Sequence, residues 1–168
     1  MIFVRTVAVM LALAAAFANG EALAATAVVQ VNATATKPLS LTRVQDLDLG
    51  TIALAPGTWS GATVSISRTG AFSCANPNTT CTGVQQVATY TVTGSNNATV
   101  RIAVPNVTLT NQSDTTKTLT LIVDSPATLT LPNSGTKGAD FSLGGSISLS
   151  SATIGGLYAG TFDVTVDY

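Results

Sequence analysis

From Ala27 onward, apolar and polar residues alternate with a period of two along most of the chain. Val29, Val31, Ala33 and Ala35 share one face of an extended segment; Gln30, Asn32 and Thr34 share the other. Successive side chains of a β-strand point to opposite faces, so this pattern predicts a half-buried strand over 26–36. Short strands follow at Leu39 to Val44 and Leu49 to Leu54, on either side of Asp46-Leu47-Asp48. Pro56-Gly57 marks a turn, after which Val64 and Ile66 alternate within Ala62 to Arg68. A loop-like stretch containing Cys74 and Cys81 leads into a predicted strand over Val84 to Thr93.

Gly94-Ser95-Asn96-Asn97 then reads as a hairpin turn into Thr99 to Val104, whose apolar face carries Val100, Ile102 and Val104. Leu119, Leu121 and Val123 form another face, Leu129 and Leu131 a shorter one. Phe141, Leu143, Ile147 and Leu149 flank Gly144-Gly145, where a bulge or sharp bend is expected. The chain closes on a long strand from Leu157 to Tyr168, with Phe162, Val164, Val166 and Tyr168 on one face. Asp163, Thr165 and Asp167 occupy the other. Many strands, turn signals between them and no convincing helix predict an all-β fold, a single antiparallel β-sandwich.

The first residues carry a different signal. Arg5 precedes an almost unbroken run of small apolar residues from Thr6 to Phe17, and Ala22-Leu23-Ala24 has the small-x-small form. Residues 1–24 therefore read as a signal peptide cleaved before Ala25, leaving 25–168 as the mature domain. The apolar run falls short of the roughly 20 residues a bilayer span needs, and no second run follows. The expectation is an exported protein of the periplasm, cell surface or extracellular space, with no membrane span after cleavage.

Charge narrows the functions on offer. Only 9% of residues are charged, the formal net charge is −1, and Lys and Arg are scattered singly. Nucleic-acid binding requires clustered cations to neutralise phosphates, so it is excluded. The apolar content of 46% is that of a folded chain, which argues against disorder. Two nearby thiols in an oxidising compartment usually pair, so Cys74 and Cys81 are expected to form a disulfide closing a short loop. Such a staple stabilises by about 2 to 3 kcal/mol. A zinc or redox pair is disfavoured, because the spacing is not Cys-x-x-Cys and the chain has no histidine.

The same lack of histidine removes Ser-His-Asp and Cys-His nucleophile systems, and no phosphate-binding glycine loop is present. No enzymatic activity and no cofactor are expected. Asp46 and Asp48 are the one suggestive carboxylate pair. At i and i+2 on a strand they would lie about 7 Å apart on one face. Part of a calcium shell is a weak candidate role; satisfying donors of the neighbouring turn is the simpler one. Trp59, Tyr90 and Tyr158 offer a sugar-stacking platform if they share an exposed face, and core residues if they do not.

Two segments carry a family resemblance. The stretch Thr36 to Gly50, with Leu47-Asp48-Leu49-Gly50 in place of a Leu-Asp-Phe-Gly motif, resembles a bacterial family of exported domains of unknown function. The ending Gly156 to Tyr168 is similar to that of the same family, of spore coat protein U and of chaperone-usher pilins. This resemblance implies an immunoglobulin-like, pilin-like sandwich that lacks a strand, borrows one from a periplasmic chaperone, and later receives it from a neighbouring subunit at an outer-membrane usher. Val29, Val31, Ala33 and Ala35 would then be donor side chains. Phe162, Val164 and Val166 would line the acceptor, and the Tyr168 carboxylate would anchor the chaperone. Two functions are carried forward. The first is a structural or adhesive surface subunit that self-associates into fibres by β-strand donation. The alternative is a monomeric secreted module that binds carbohydrate or another surface ligand; in either, the first strand has to pair within its own sandwich or with a neighbour.

Overall fold

The computed structural model describes residues 32–133 and 137–168. By its contacts the chain divides into two units, Met1–Thr34 and Ala35–Tyr168, and every strand described belongs to the second. Those strands are β1 (Ser40–Gln45), β2 (Thr51–Leu54), β3 (Ala62–Ile66), β4 (Phe72–Ser73), β5 (Thr79–Thr82), β6 (Ala88–Thr93) and β7 (Thr99–Ala103). They continue as β8 (Val107–Asn111), β9 (Thr118–Asp124), β10 (Thr128–Thr130), β11 (Ala139–Leu149), β12 (Tyr158–Ala159) and β13 (Thr165–Asp167). The fold is all-β, with antiparallel sheets packed face to face as in a β-sandwich.

The large sheet runs β1-β6-β11-β9-β8-β12, with β3 and β4 added beside β11. Its organiser is β11, long enough to serve three partners. Ala139–Leu143 pairs with β6, Gly145–Leu149 with β3, and Gly144–Ile147 with β9. The partner switch falls on Gly144-Gly145, where the sequence suggests a bulge. The strand instead continues, and the glycines serve close approach. A β-carbon on Gly144 would sit 2.5 Å from the Arg68 nitrogen and closer still to the Ile66 carbonyl. There the Arg68 N–H also donates to the Asp124 carboxylate at 2.8 Å.

Two smaller layers cover the inner face. The sheet β10-β7-β13 lies over one half, enclosing Ala88, Tyr90, Val92, Val100, Ile102, Leu131, Phe141 and Leu143. Tyr90 and Phe141 stack with ring centroids 5.5 Å apart. Burial pushes the Tyr90 phenol above its ordinary value of 10.0, since the charged form loses its water. The β2–β5 ribbon lies over the other half, where Ala62, Val64, Val107, Leu121, Ile147 and Leu149 are buried. Leu47, Val123 and Phe162 reach both clusters and join them into one interior.

Three sequence expectations are corrected by this topology. Gly94–Asn97 is not a hairpin turn: β6 pairs with β1 and β11, while β7 pairs with β10 and β13. The segment is an arch that carries the chain from one sheet to the other, turned by a positive φ of 56° at Asn97. The cysteine segment is not all loop, because Cys81 lies inside β5, opposite Ile52. The C-terminal strand is broken after Ala159: β12 closes the large sheet, whereas β13 joins β7 in the small one. Alternation alone is blind to which sheet a strand enters.

Of the expected strand over 26–36, only positions 32–36 are described. Asn32–Thr36 is exposed and lies in no strand. The signal peptide and positions 25–31 lie outside the described residues.

Candidate strand-exchange interface

The residues singled out at the C-terminus form an edge. The strand β13 pairs with β7 through Thr165↔Ala103, Val166↔Ile102 and Asp167↔Arg101. Ile102 spends its N–H on the Ala127 carbonyl, on the far side of β7. In an antiparallel ladder hydrogen-bonded and non-bonded pairs alternate, so Thr165 and Asp167 make the inward bonds. The N–H and C=O of Val166 therefore point to the outer edge, where no other described strand pairs. The main chain of Phe162 and Val164 likewise has no backbone partner among the described residues.

Beneath that open edge the chemistry is apolar. Phe162, Val164 and Val166 are half-buried against the core, while Thr161, Asp163, Thr165 and Asp167 are exposed. The large sheet ends in a second edge at β1, which among the described residues pairs only with β6. Leu39 and Leu41, at the start of β1, pack on the same core cluster as Val164 and Val166.

The two edges are tied together at one end. The Tyr168 hydroxyl donates to the Lys37 carbonyl and accepts from the Ser95 N–H at 2.8 Å. The Lys37 N–H donates to Ser95 Oγ at 2.7 Å, and that oxygen lies 3.2 Å from the Tyr168 hydroxyl. Gly94 leaves the room: a β-carbon there would come within 2.7 Å of both the Tyr168 hydroxyl and Leu39. The sequence places Tyr168 on the face of Phe162, Val164 and Val166, but gives no sign of Lys37, Gly94 or Ser95 beside it.

Of the donor residues, Ala33 and Ala35 are exposed, and Val29 and Val31 lie outside the described residues. Asp46 and Asp48 do not converge. Asp46 pairs with Arg43 at 2.9 Å on the surface, and Asp48 accepts the Gly50 N–H at 2.8 Å, an Asx-type turn contact. Among the described residues no group of three metal-ligating side chains is found. Cys74 and Cys81 form a disulfide that ties β5 to the segment after β4.

The aromatic platform is not assembled. Tyr90 is buried, and Trp59 is half-buried against the second cluster with its indole N–H on the Ala55 carbonyl at 2.9 Å. Tyr158 donates its hydroxyl to the Ile154 carbonyl at 2.8 Å. Among the described residues no helix is long and apolar enough to cross a membrane.

An antiparallel β-sandwich defines the class of this protein. Residues 39–168 match the family described as Domain of unknown function (DUF4402), and the chain belongs to that family. The match begins at Leu39, two residues after the Lys37 contact, so the N-terminal segment precedes it. No curated protein and no solved structure matches.

Proposed function

We propose that this protein is a non-enzymatic structural or adhesive subunit of the bacterial cell surface, exported and assembled by β-strand donation. The N-terminal segment of one copy, with Val29, Val31, Ala33 and Ala35 facing inward, adds to the outer edge of β13 in the next. The observation that carries the reading is that edge. Main-chain groups of Val166 that have no partner among the described residues lie above half-buried Phe162, Val164 and Val166, as strand addition requires. Main-chain hydrogen bonds supply affinity, and alternate side chains entering the core supply register. Before assembly, a periplasmic chaperone strand covers the same edge, and an outer-membrane usher exchanges it. The monomeric carbohydrate-binding alternative draws less support, since Trp59 and Tyr90 turn inward.

The test compares the chain from Ala25 onward with a form that lacks residues 25–35. Size-exclusion chromatography and electron microscopy over a range of concentrations should show oligomers or fibres only for the longer form. An added peptide spanning 25–36 should bind and stabilise the shortened form. Two folded monomers with the same thermal midpoint at every concentration would end the reading.

A further inference from the structure

The ladder between β9 and β11 stops short of both strand ends. Its last pair is Leu121↔Ile147, although β9 begins at Thr118 and β11 runs on to Leu149. Beyond that pair the chain turns away from β9: the Ser150 N–H donates to Thr153 Oγ1 at 3.0 Å, and the Thr153 N–H returns to the Ser150 carbonyl. Between the parted ends lies a cleft of about 400 Å³, lined also by Ile154 and Tyr158.

Thr118 turns its main chain toward this cleft. The Asn111 N–H donates to the Lys117 carbonyl, so in the alternating ladder Leu119 and Leu121 also face β8. The N–H and C=O of Thr118 therefore point the other way, toward Ser150, whose own groups are already spent. They have no backbone partner among the described residues. The cleft is held in shape by Asn111, which is wholly buried. Its Oδ1 accepts the Ser113 and Asp114 N–H groups on one side, and its Nδ2 donates to the Gly155 carbonyl on the other.

A second depression, of about 390 Å³, is lined by Thr63, Ser65, Ser146 and Gly145. Ser146 and Ser148 stand two apart on β11 and share a face, so both hollows open on the same side of the large sheet. Thr63 lies opposite Ser148 and Ser65 opposite Ser146, which joins the hollows by a path of hydroxyls. Lys117 is the one charged residue in the cleft lining, and it shares the β8–β9 turn with Asp114.

We propose that this path binds an uncharged saccharide chain, with one sugar ring in the cleft beside Thr118 and the rest running along β11 toward Gly145. A sugar ring has an apolar C–H face and a rim of hydroxyls that both donate and accept. Tyr158 and Leu119 meet the first need. The Thr118 main chain and the Thr118 and Ser148 hydroxyls meet the second. The volume is that of a small-molecule site. An ionised ligand would lose its hydration here without a free counter-charge. The site lies on the sheet that does not contain β13, so it is independent of strand donation and serves a monomer or a subunit alike.

The experiment is an amide NMR titration of the labelled chain from Ala25 onward. The probes are the pentamers of β-1,4-linked glucose, mannose and N-acetylglucosamine, with a galacturonic acid pentamer as the charged arm. At least one uncharged probe should shift Thr118, Ser148 and Ser150 together and saturably. Thr118→Val/Ser148→Ala should weaken that binding about tenfold, the worth of one or two hydrogen bonds. Thr89→Val, on β6 of the same sheet, should leave it unchanged. Ser148→Ala alone carries the same readout if the double variant fails to fold. No saturable shift with any uncharged probe, shifts that map outside the two hollows, or binding confined to the galacturonic acid pentamer overturns the site. Equal affinity in the folded cleft variant overturns it as well.

Discussion

Tyr168 and Lys37, 131 positions apart, are joined by a hydrogen bond from the phenol to a main-chain carbonyl. The contact sets the spacing between the entry to β1 and the end of β13, each the last described strand at one side of its sheet. The same hydroxyl accepts from Ser95, so one atom fixes three segments.

Removing that hydroxyl with Tyr168→Phe should therefore cost about 1 kcal/mol, the net worth of one partly exposed hydrogen bond. The thermal midpoint should fall by roughly 3 to 5 °C. Calorimetry of the chain from Ala25 onward checks it, and an unchanged midpoint would show the contact to be energetically idle.

Gly144 should tolerate no side chain. Alanine there meets the backbone of Ile66–Arg68, which cannot step aside as a flexible side chain can. Gly144→Ala should destabilise by about 3 kcal/mol or more, through overpacking at the point where β11 changes partners. Gly155→Ala is the control, because a β-carbon at that position has nothing within 4 Å. Urea unfolding of both variants should separate them clearly.

The Cys74–Cys81 bond closes a loop with a sequence separation of 7, which places its contribution at about 2 to 3 kcal/mol. The double Ser replacement should lower stability by that amount, and added reductant should bring the unaltered protein down to the same level. The β2–β5 ribbon should loosen first, since Cys81 sits within it. Local hydrogen exchange at Thr80 and Thr82 reads that loosening.

Two groups should shape the response to pH. Burial raises Tyr90 above 10.0, so its contribution is complete below that value and is lost as pH rises through the folded-state value. Tyr90→Phe should flatten the alkaline limb of the stability profile. Asp114 shifts the other way: hydrogen bonds from the Thr116 hydroxyl and N–H hold its carboxyl below 3.8. Its contribution is present above that value and is lost as pH falls through the lowered one, so Asp114→Asn should soften the acid limb. Unfolding midpoints of each variant across pH test both signs.

Much of the fold was legible because the information was local. The alternation in Ala62–Ile66, Ala88–Thr93 and Thr118–Asp124 reads directly as inward and outward positions, as does Phe162, Val164, Val166 near the end. Val107–Asn111 gave too short a signal between Pro105 and the Ser113–Thr116 turn to be picked out. Partner choice was harder. The Gly94–Asn97 turn has hairpin chemistry, yet the longer ladders of β6 with β1 and β11 outweigh the short one a hairpin would make. The Tyr168–Lys37 contact was invisible for the same reason: nothing near Lys37 in the chain speaks of a tyrosine 131 positions away.

The central place of β11 also has a consequence in time. Its residues, 139–149, are the shared partner of β3, β6 and β9, all of which come earlier in the chain. During synthesis those strands wait without their common neighbour until residues 139–149 emerge. The ladders that unite the large sheet therefore form late and together, and a nascent chain stopped before Ala139 holds β1–β6, β3–β4 and β8–β9 only as separate pairs with no strand to join them.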